Sequence, residues 1–132
     1  MRLAQLQVTS LAKADGKMRK RLRASSSLGS QLDAMIGGYA DEPGTVPALH
    51  DVVAVAAVID HTLIATRPAM VEVVTGLGPN RGQTLMDFDH GKTQATVEVI
   101  VELDVERLSD LMIERISEAP RHRDHGESPQ VR

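Results

Sequence analysis

The chain contains no cysteine. Disulfide bonds, thiolate zinc sites and cysteine nucleophiles are therefore excluded together. The sequence also shows no basic N-terminal segment followed by an apolar stretch and a cleavage site, as a secretory leader would require. These two observations predict a protein of the reducing cytoplasm.

Aromatic residues and long apolar runs are scarce. Tyr39 and Phe88 are the only aromatic side chains, which is too few for a platform on which nucleic-acid bases could stack. The longest nearly uninterrupted apolar run, from Val52 to Ile59, has 8 residues, whereas a membrane-spanning helix needs about 20. No membrane span is therefore predicted.

What remains is an ordinary globular composition. Of the 132 residues, 42% are hydrophobic and 25% are charged, so the chain lies far from the composition of disordered proteins. We expect one domain over residues 1–118, with a helical part at 1–66 and a second part at 70–118. Residues 119–132 have no apolar period and are expected to form a solvated tail.

Apolar residues of the N-terminal part recur at helical spacing, which predicts two helices or one bent helix ending at Gly37-Gly38. A further Val/Ala-rich central helix is predicted from about Thr45 to Thr66, because Pro68 disfavours helical geometry at the residue before it. Many residues of this central segment are β-branched valines. Two strands are therefore the alternative interpretation of this segment.

The second part alternates as strands do. Strands are predicted at residues 70–75, 83–89 and 94–103, where apolar side chains fall on every second position of the last segment. From Asp104 the apolar spacing becomes helical until Pro120. The predicted class is α+β: N-terminal helices, a central helix, a three-stranded antiparallel meander and a C-terminal helix.

The joint between the last two predicted strands has the sequence Asp89-His90-Gly91-Lys92-Thr93. It resembles the end of the phosphate-binding loop of translational GTPases. That loop needs a glycine five residues before Gly91, where this chain has Met86, and a helix rather than a strand after the threonine. A hairpin turn is the favoured interpretation, and no cofactor is predicted.

Positive charge is concentrated near the N terminus. Residues 1–30 carry a net charge of +6, so the remainder carries −9. Six basic side chains would cover most of the circumference of one helix: Lys13, Lys17, Arg19, Lys20, Arg21 and Arg23. They could pair within the protein or between subunits, or they could bind a nucleic-acid backbone, an acidic protein or an anionic membrane surface.

Histidines and carboxylates are not spaced as metal ligands. His50 and His61 are 11 residues apart, a rise of about 16 Å along a helix, which is too long for both to bind one ion. Asp60 would lie on the apolar face of the central helix, where burial would raise its pKa as in a general acid. The simpler alternative is that Asp60 lies near the helix end and bonds to a backbone N–H or to one of the N-terminal basic residues. No metal site and no catalytic residue are predicted.

Without a recognisable catalytic constellation, the sequence predicts a non-enzymatic structural or adaptor protein. Because the central segment is more apolar than one small sheet can cover, we expect a homo-oligomer. A protein that binds nucleic acid through the basic segment is the second hypothesis. A small enzyme with Asp60 and a histidine as its acid–base pair is the third.

Overall fold

The computed structural model describes residues 1–39, 44–89 and 97–119. The predicted hairpin turn after Asp89 and the predicted tail after Ala119 lie outside these residues. Within them, the elements follow in this order: β1 (Arg2–Ala4), α1 (Leu6–Thr9), α2 (Gly16–Ser25), α3 (Ser27–Gly38), α4 (His50–Ile59), a 3₁₀ turn (His61–Leu63), β2 (Ile64–Val73), β3 (Thr84–Asp87), β4 (Val97–Leu103) and α5 (Val105–Glu118).

The four strands form one sheet in the order β1-β4-β2-β3. Mixed helix and strand content is thus confirmed, but the predicted three-stranded meander is not. The third strand of a meander would pair with the second, whereas β4 pairs antiparallel along β2, from Ile64 opposite Leu103 to Ala69 opposite Val97. The strand β2 has ten residues, so β3 pairs only with its far end, from Met70 to Val73.

The first strand was not predicted. The helical part predicted over residues 1–66 includes Leu3, but Arg2–Ala4 instead pairs in parallel with β4, with Leu3 opposite Val99. A three-residue strand is too short to show an alternating pattern in sequence. Its position is set by a partner 96 residues away in the chain.

The central helix is shorter than predicted at both ends. It begins at His50 and ends at Ile59, because Asp60 has an extended backbone (φ −137°, ψ 97°) and its side chain accepts a hydrogen bond from the backbone N–H of Thr62. Residues 64–66 are strand rather than helix. The two-strand alternative is also wrong, since residues 50–59 are helical.

The helices α2 and α3 meet at a tight corner. Ser26 lies between them and accepts a hydrogen bond from the backbone N–H of Gly29 at 3.0 Å. A Cβ atom on Gly29 would overlap the carbonyl oxygen of Leu22. Only glycine therefore allows α3 to pass this close to α2.

The core extends from this helical corner to the sheet. One buried cluster joins the loop after α1, the helices α4 and α5 and the 3₁₀ turn: Ala12, Val53, Ala56, Leu63 and Leu108. A second cluster lies between α2, α3 and α5 and is centred on Met18 and Leu22. In the described part of the chain, no helix is both long enough and apolar enough to cross a bilayer.

Candidate functional site

A cavity of about 580 Å³ lies between the end of α3 and the start of α4. This volume is in the usual range for a small-molecule site. Its walls are mainly apolar, with a few polar groups near the start of α4. The lining residues are Leu32, Met35, Ile36, Tyr39, Thr45, Pro47, Ala48, Leu49, His50, Asp51 and Val52.

The segment that carries the polar groups is fixed by the chain after α1. The backbone N–H of Leu49 donates to the carbonyl of Ala12 at 2.7 Å, and that of Ala14 donates to Pro47 at 2.9 Å. Because both bonds are between backbone groups, they set the direction in which the chain enters α4. His50 follows immediately as the first residue of that helix.

His50 is held by a buried hydroxyl. Its Nδ1 lies 2.8 Å from Oγ1 of Thr9, a residue with only 4% of its surface exposed. The same Oγ1 donates to the carbonyl of Leu6 at 3.4 Å, so we assign Nδ1 as the donor in its bond with Thr9. This tautomer leaves Nε2 available to accept a proton, and the protonated ring can donate one.

Asp51 is next to His50 in the first turn of α4 and is exposed. A carboxylate is favoured there because the helix N-terminus carries partial positive charge. Asp51 also adds an acceptor for hydroxyl groups at the rim of the cavity. Among the described residues, no three potential metal ligands of the His, Cys, Asp or Glu type come together.

Asp60, the predicted buried carboxylate, lies elsewhere. It is ten residues beyond His50, about 15 Å along the helix axis, and its side chain is 32% exposed. It accepts hydrogen bonds from the N–H and hydroxyl of Thr62 and from Arg107 at 3.2 Å. The bonds from Thr62 and the charge of Arg107 lower the pKa of Asp60. The prediction of a buried carboxylate with a raised pKa is therefore wrong, because the helix ends before Asp60. The simpler alternative describes its bond to a backbone N–H, but its charged partner is Arg107 rather than an N-terminal basic residue.

The basic segment faces acidic side chains of the same chain. Arg19 and Arg23 both bind the buried carboxylate of Asp33, at 2.7 and 2.8 Å. The hydrogen bond from Arg19, followed by that from Arg23, lowers the pKa of Asp33. Arg21 pairs with Asp110 of α5 at 2.6 Å.

The remaining lysines of this segment lie on the outside of the molecule. Lys17 is 3.7 Å from Glu106, and Lys13 and Lys20 are exposed. The positive charge near the N terminus therefore meets the acidic charge of α3 and α5 in space. None of the six predicted basic residues lines the cavity beside His50.

Comparison with known structures identifies the class of the fold, which is that of nucleoside hydrolases. A purine-preferring ribonucleoside hydrolase from Gardnerella vaginalis superposes with a TM-score of 0.73 and 31% identity, over 88% of this chain and 39% of that one. A plant nucleoside hydrolase gives a TM-score of 0.69 and 26% identity, over 87% of this chain and 40% of that one.

The sequence places the chain in one family within this class. It belongs to the inosine-uridine preferring nucleoside hydrolase family, whose model matches residues 1–110. A probable ribonucleoside hydrolase from Dictyostelium discoideum is 28% identical over 121 residues, which are 87% of this chain and 34% of that protein. The chain thus spans about a third of the length of this curated relative.

These matches correct the predicted function. The relatives are enzymes, so the expectation of a non-enzymatic structural or adaptor protein is wrong, as is that of a nucleic-acid-binding protein. The sequence names His50 only as a possible metal ligand, and the histidine paired with Asp60 in the enzyme hypothesis is left unspecified. What distinguishes His50 is its contact with Thr9, which is 41 residues away in the chain and leaves no local pattern.

Proposed function

We propose that this chain carries the acid–base part of a ribonucleoside hydrolase active site, with His50 as the proton-transferring group. The observation that carries the proposal is the fixed histidine at the mouth of a mainly apolar cavity. The names of the relatives support the substrate class, since they describe hydrolases of ribonucleosides.

The reaction requires a proton donor. Water adds to C1′ of the ribose and releases a proton, the bond from C1′ to the base nitrogen breaks, and the leaving base takes the bonding electron pair and a proton, so no net proton is consumed. Histidine is suited to deliver that proton because it exchanges protons near neutral pH. The Thr9 hydroxyl fixes Nδ1 of His50, which leaves Nε2 as the atom that transfers the proton.

The other walls suit the two halves of a nucleoside. Met35 and Ile36 of α3 line the cavity together with Tyr39, and such apolar side chains can contact the flat face of a base. Asp51 lies on the opposite side, at the start of α4. Its carboxylate can accept hydrogen bonds from ribose hydroxyl groups.

Binding is the direct test, because it does not require every catalytic group. The histidine ring signals of the 132-residue chain would be followed by NMR during titration with inosine and with uridine, and assigned with His→Gln variants. We expect the His50 signals to shift and those of His61, at the far end of α4, to remain unchanged. No shift of His50 at millimolar nucleoside would contradict the proposal.

Hydrolysis is the second readout. In any preparation that releases base from inosine, His50→Gln is expected to lower kcat by roughly 10²–10⁴, the usual contribution of general acid–base catalysis. His61→Gln serves as the matched control and is expected to leave kcat unchanged. Equal activity of the two variants would exclude His50 as the proton donor.

We also propose that the protein acts in the cytoplasm. The support is chemical: the chain has no cysteine from which an oxidising compartment could form stabilising disulfides. Fractionation of the native host should recover the protein with cytoplasmic markers. Recovery with a secreted or organellar fraction would contradict this assignment.

A further inference from the structure

All the sulfur of this chain is in thioether groups. The chain contains no cysteine and six methionines. Exposed thiolates and methionine thioethers are the sulfur groups that oxidants attack in proteins. Because this chain has no thiol to compete, its methionines are the sulfur atoms that an oxidant meets.

The six methionines differ in how far solvent reaches them. Two are more than half exposed, namely Met1 (87%) and Met35 (69%). Met70, on β2, is 38% exposed, whereas Met18 is buried in the core at 6%. The other two are half-buried. An oxidant in solution therefore reaches Met1 and Met35 most readily.

Met35 is also the one methionine that lines the candidate cavity. It lies near the end of α3, where its carbonyl accepts a hydrogen bond from the backbone N–H of Tyr39 at 3.1 Å. The cavity must admit a nucleoside if it is the substrate site. Hydrogen peroxide is much smaller than a nucleoside, so it can reach the Met35 sulfur by the same opening.

Oxidation would change the chemistry of this wall. The sulfur lone pair attacks one oxygen of hydrogen peroxide, and an S–O bond forms as the O–O bond breaks. The departing oxygen takes the bonding electrons and the proton of the transferred oxygen, and it leaves as water. The thioether loses two electrons and the peroxide gains them. A polar, chiral sulfoxide then stands where the wall had an apolar group.

We propose that Met35 is a site of reversible oxidation by hydroperoxides, and that its sulfoxide weakens nucleoside binding in the cavity beside His50. The inference rests on the proposed function and adds regulation to it. A sulfoxide oxygen that faces a bound base gives up its hydrogen bonds to water, which costs free energy. The change is reversible because methionine sulfoxide reductases restore the thioether, with one enzyme for each sulfoxide epimer.

The first measurement is the rate at which each methionine is oxidised. The 132-residue chain would be treated with hydrogen peroxide while circular dichroism confirms that it stays folded. Peptide mass spectrometry would follow the sulfoxide at each position. We expect Met35 to react at least about tenfold faster than Met18, because oxidation follows exposure. Equal rates at Met35 and Met18 in the folded chain would overturn the proposal.

The second measurement is inosine affinity, read from the His50 ring signals by NMR titration before and after oxidation. We expect oxidation to raise the inosine Kd by at least about fivefold, the lower end of the effect of leaving one buried polar group unpaired. Both sulfoxide reductases, supplied with dithiothreitol, should then restore the original Kd. An unchanged Kd after complete oxidation of Met35 would contradict the proposal.

Two variants assign the effect to one sulfur atom. Met35→Leu keeps an apolar side chain of similar volume but has no sulfur, so its inosine Kd should be the same before and after peroxide treatment. Met70→Leu is the matched control, because it removes an exposed thioether that does not line the cavity, and it should retain the full response to peroxide. A peroxide response that persists in Met35→Leu would assign the effect to another methionine and reject the proposal.

The two measurements separate this proposal from the proposed function. Inosine binding that survives oxidation of Met35 would reject the regulation and leave the proposed function intact. Absence of inosine binding before oxidation would reject the proposed function, and the control of binding with it. The oxidation rates are measured without nucleoside, so they decide independently whether Met35 is a preferred site of oxidation.

Discussion

At the scale of single residues, the most informative contact joins a buried hydroxyl to an exposed imidazole. Thr9 is fixed by its burial and by its bond to the Leu6 carbonyl, so it can orient His50 without moving itself. A side chain oriented before substrate arrives loses less conformational entropy on binding. The proposed role of His50 is thus tied to a residue on a different helix.

Thr9→Val tests this coupling, because it keeps the side-chain shape and removes the hydroxyl. A neutral hydrogen bond contributes about 0.5–1.5 kcal/mol, so we expect inosine affinity to fall by roughly two- to tenfold, as measured by NMR titration. Thr75→Val, in the exposed loop after β2, is the control. Unchanged affinity in Thr9→Val would mean that the hydroxyl does not position the ring.

Asp33→Asn tests the other buried polar contact. Asp33 lies between Arg19 and Arg23, so the variant is expected to lower Tm by several degrees at pH 7. The pKa of Asp33 is lowered in the folded protein, so this stabilisation is complete above the unfolded-state value of about 3.9. It is lost as the pH falls through the lower folded-state pKa.

Thermal unfolding at three pH values measures how the stabilisation by Asp33 depends on pH. The difference in Tm between wild type and Asp33→Asn should be equal at pH 7 and pH 5 and smaller at pH 3. Asp110→Asn removes an exposed partner of Arg21, and exposed pairs contribute only about 0–1 kcal/mol. An equally large effect in both variants would show that burial of the Asp33 pairs is unimportant.

At the scale of elements, α3 forms one wall of the cavity and is placed by its corner with α2. Leu32, Met35 and Ile36 reach the cavity from this helix. Its approach to α2 depends on Gly29, where a side chain would meet the backbone of Leu22. The shape of the site thus depends on a glycine that does not line it.

Gly29→Ala is expected to destabilise the protein by about 1–3 kcal/mol, the usual cost of overpacking, and to weaken inosine binding. Urea unfolding and the same NMR titration measure the two effects. Gly38→Ala is the control, since a Cβ atom there would meet nothing within 4 Å. Tolerance of Gly29→Ala would show that the corner can relax without changing the site.

The elements differ in how well the sequence predicts them. The apolar stripe after Asp104 predicts helix α5, and the structure adds that Asp104 caps this helix by accepting a hydrogen bond from the backbone N–H of Arg107. The end of α4 at Ile59 could not be predicted, because the valine-rich segment has no proline or glycine before Pro68. There an aspartate cap ends the helix, and such a cap is indistinguishable in sequence from a surface carboxylate.

The candidate site was harder to predict than the elements. The spacing of His50 and His61 predicts no shared metal site, and no other local pattern distinguishes His50. Its structural partner Thr9 and the wall formed by α3 are brought to it by the tertiary fold. Local spacing therefore cannot reveal the site.

At the scale of the whole molecule, one buried leucine connects the parts that form the site. Leu108 of α5 packs in the cluster that includes Ala12, Val53 and Leu63. The same region holds the backbone bond between Ala12 and Leu49 that precedes His50. The cluster around Leu108 therefore supports both the stability of the domain and the position of His50.

Leu108→Ala is expected to lower the free energy of unfolding by about 2–5 kcal/mol, as large-to-small changes in cores do. Urea unfolding followed by circular dichroism would measure this. Leu77→Ala, at an exposed loop position, should change it by less than about 0.5 kcal/mol. Similar values for the two variants would contradict the assignment of Leu108 to the core.

The predicted homo-oligomer stays a prediction. It was expected because the central segment is so apolar. In the structure, one face of α4 is buried within the domain and the other is exposed. Light scattering of the 132-residue chain at micromolar concentration would test self-association. A monomeric mass would contradict the predicted homo-oligomer.

The pairing of β1 with β4 has a consequence for synthesis. Arg2 pairs with Glu98, so the first strand leaves the ribosome long before its partner exists. At about 5–20 residues per second, it must wait roughly 5–20 s without a hydrogen-bonding neighbour. Long-range pairing also slows folding through the entropy of loop closure. The pairing of β1 with β4 can therefore form only late in synthesis. Until then, the unpaired first strand must avoid aggregation while only the helices of the N-terminal part can form.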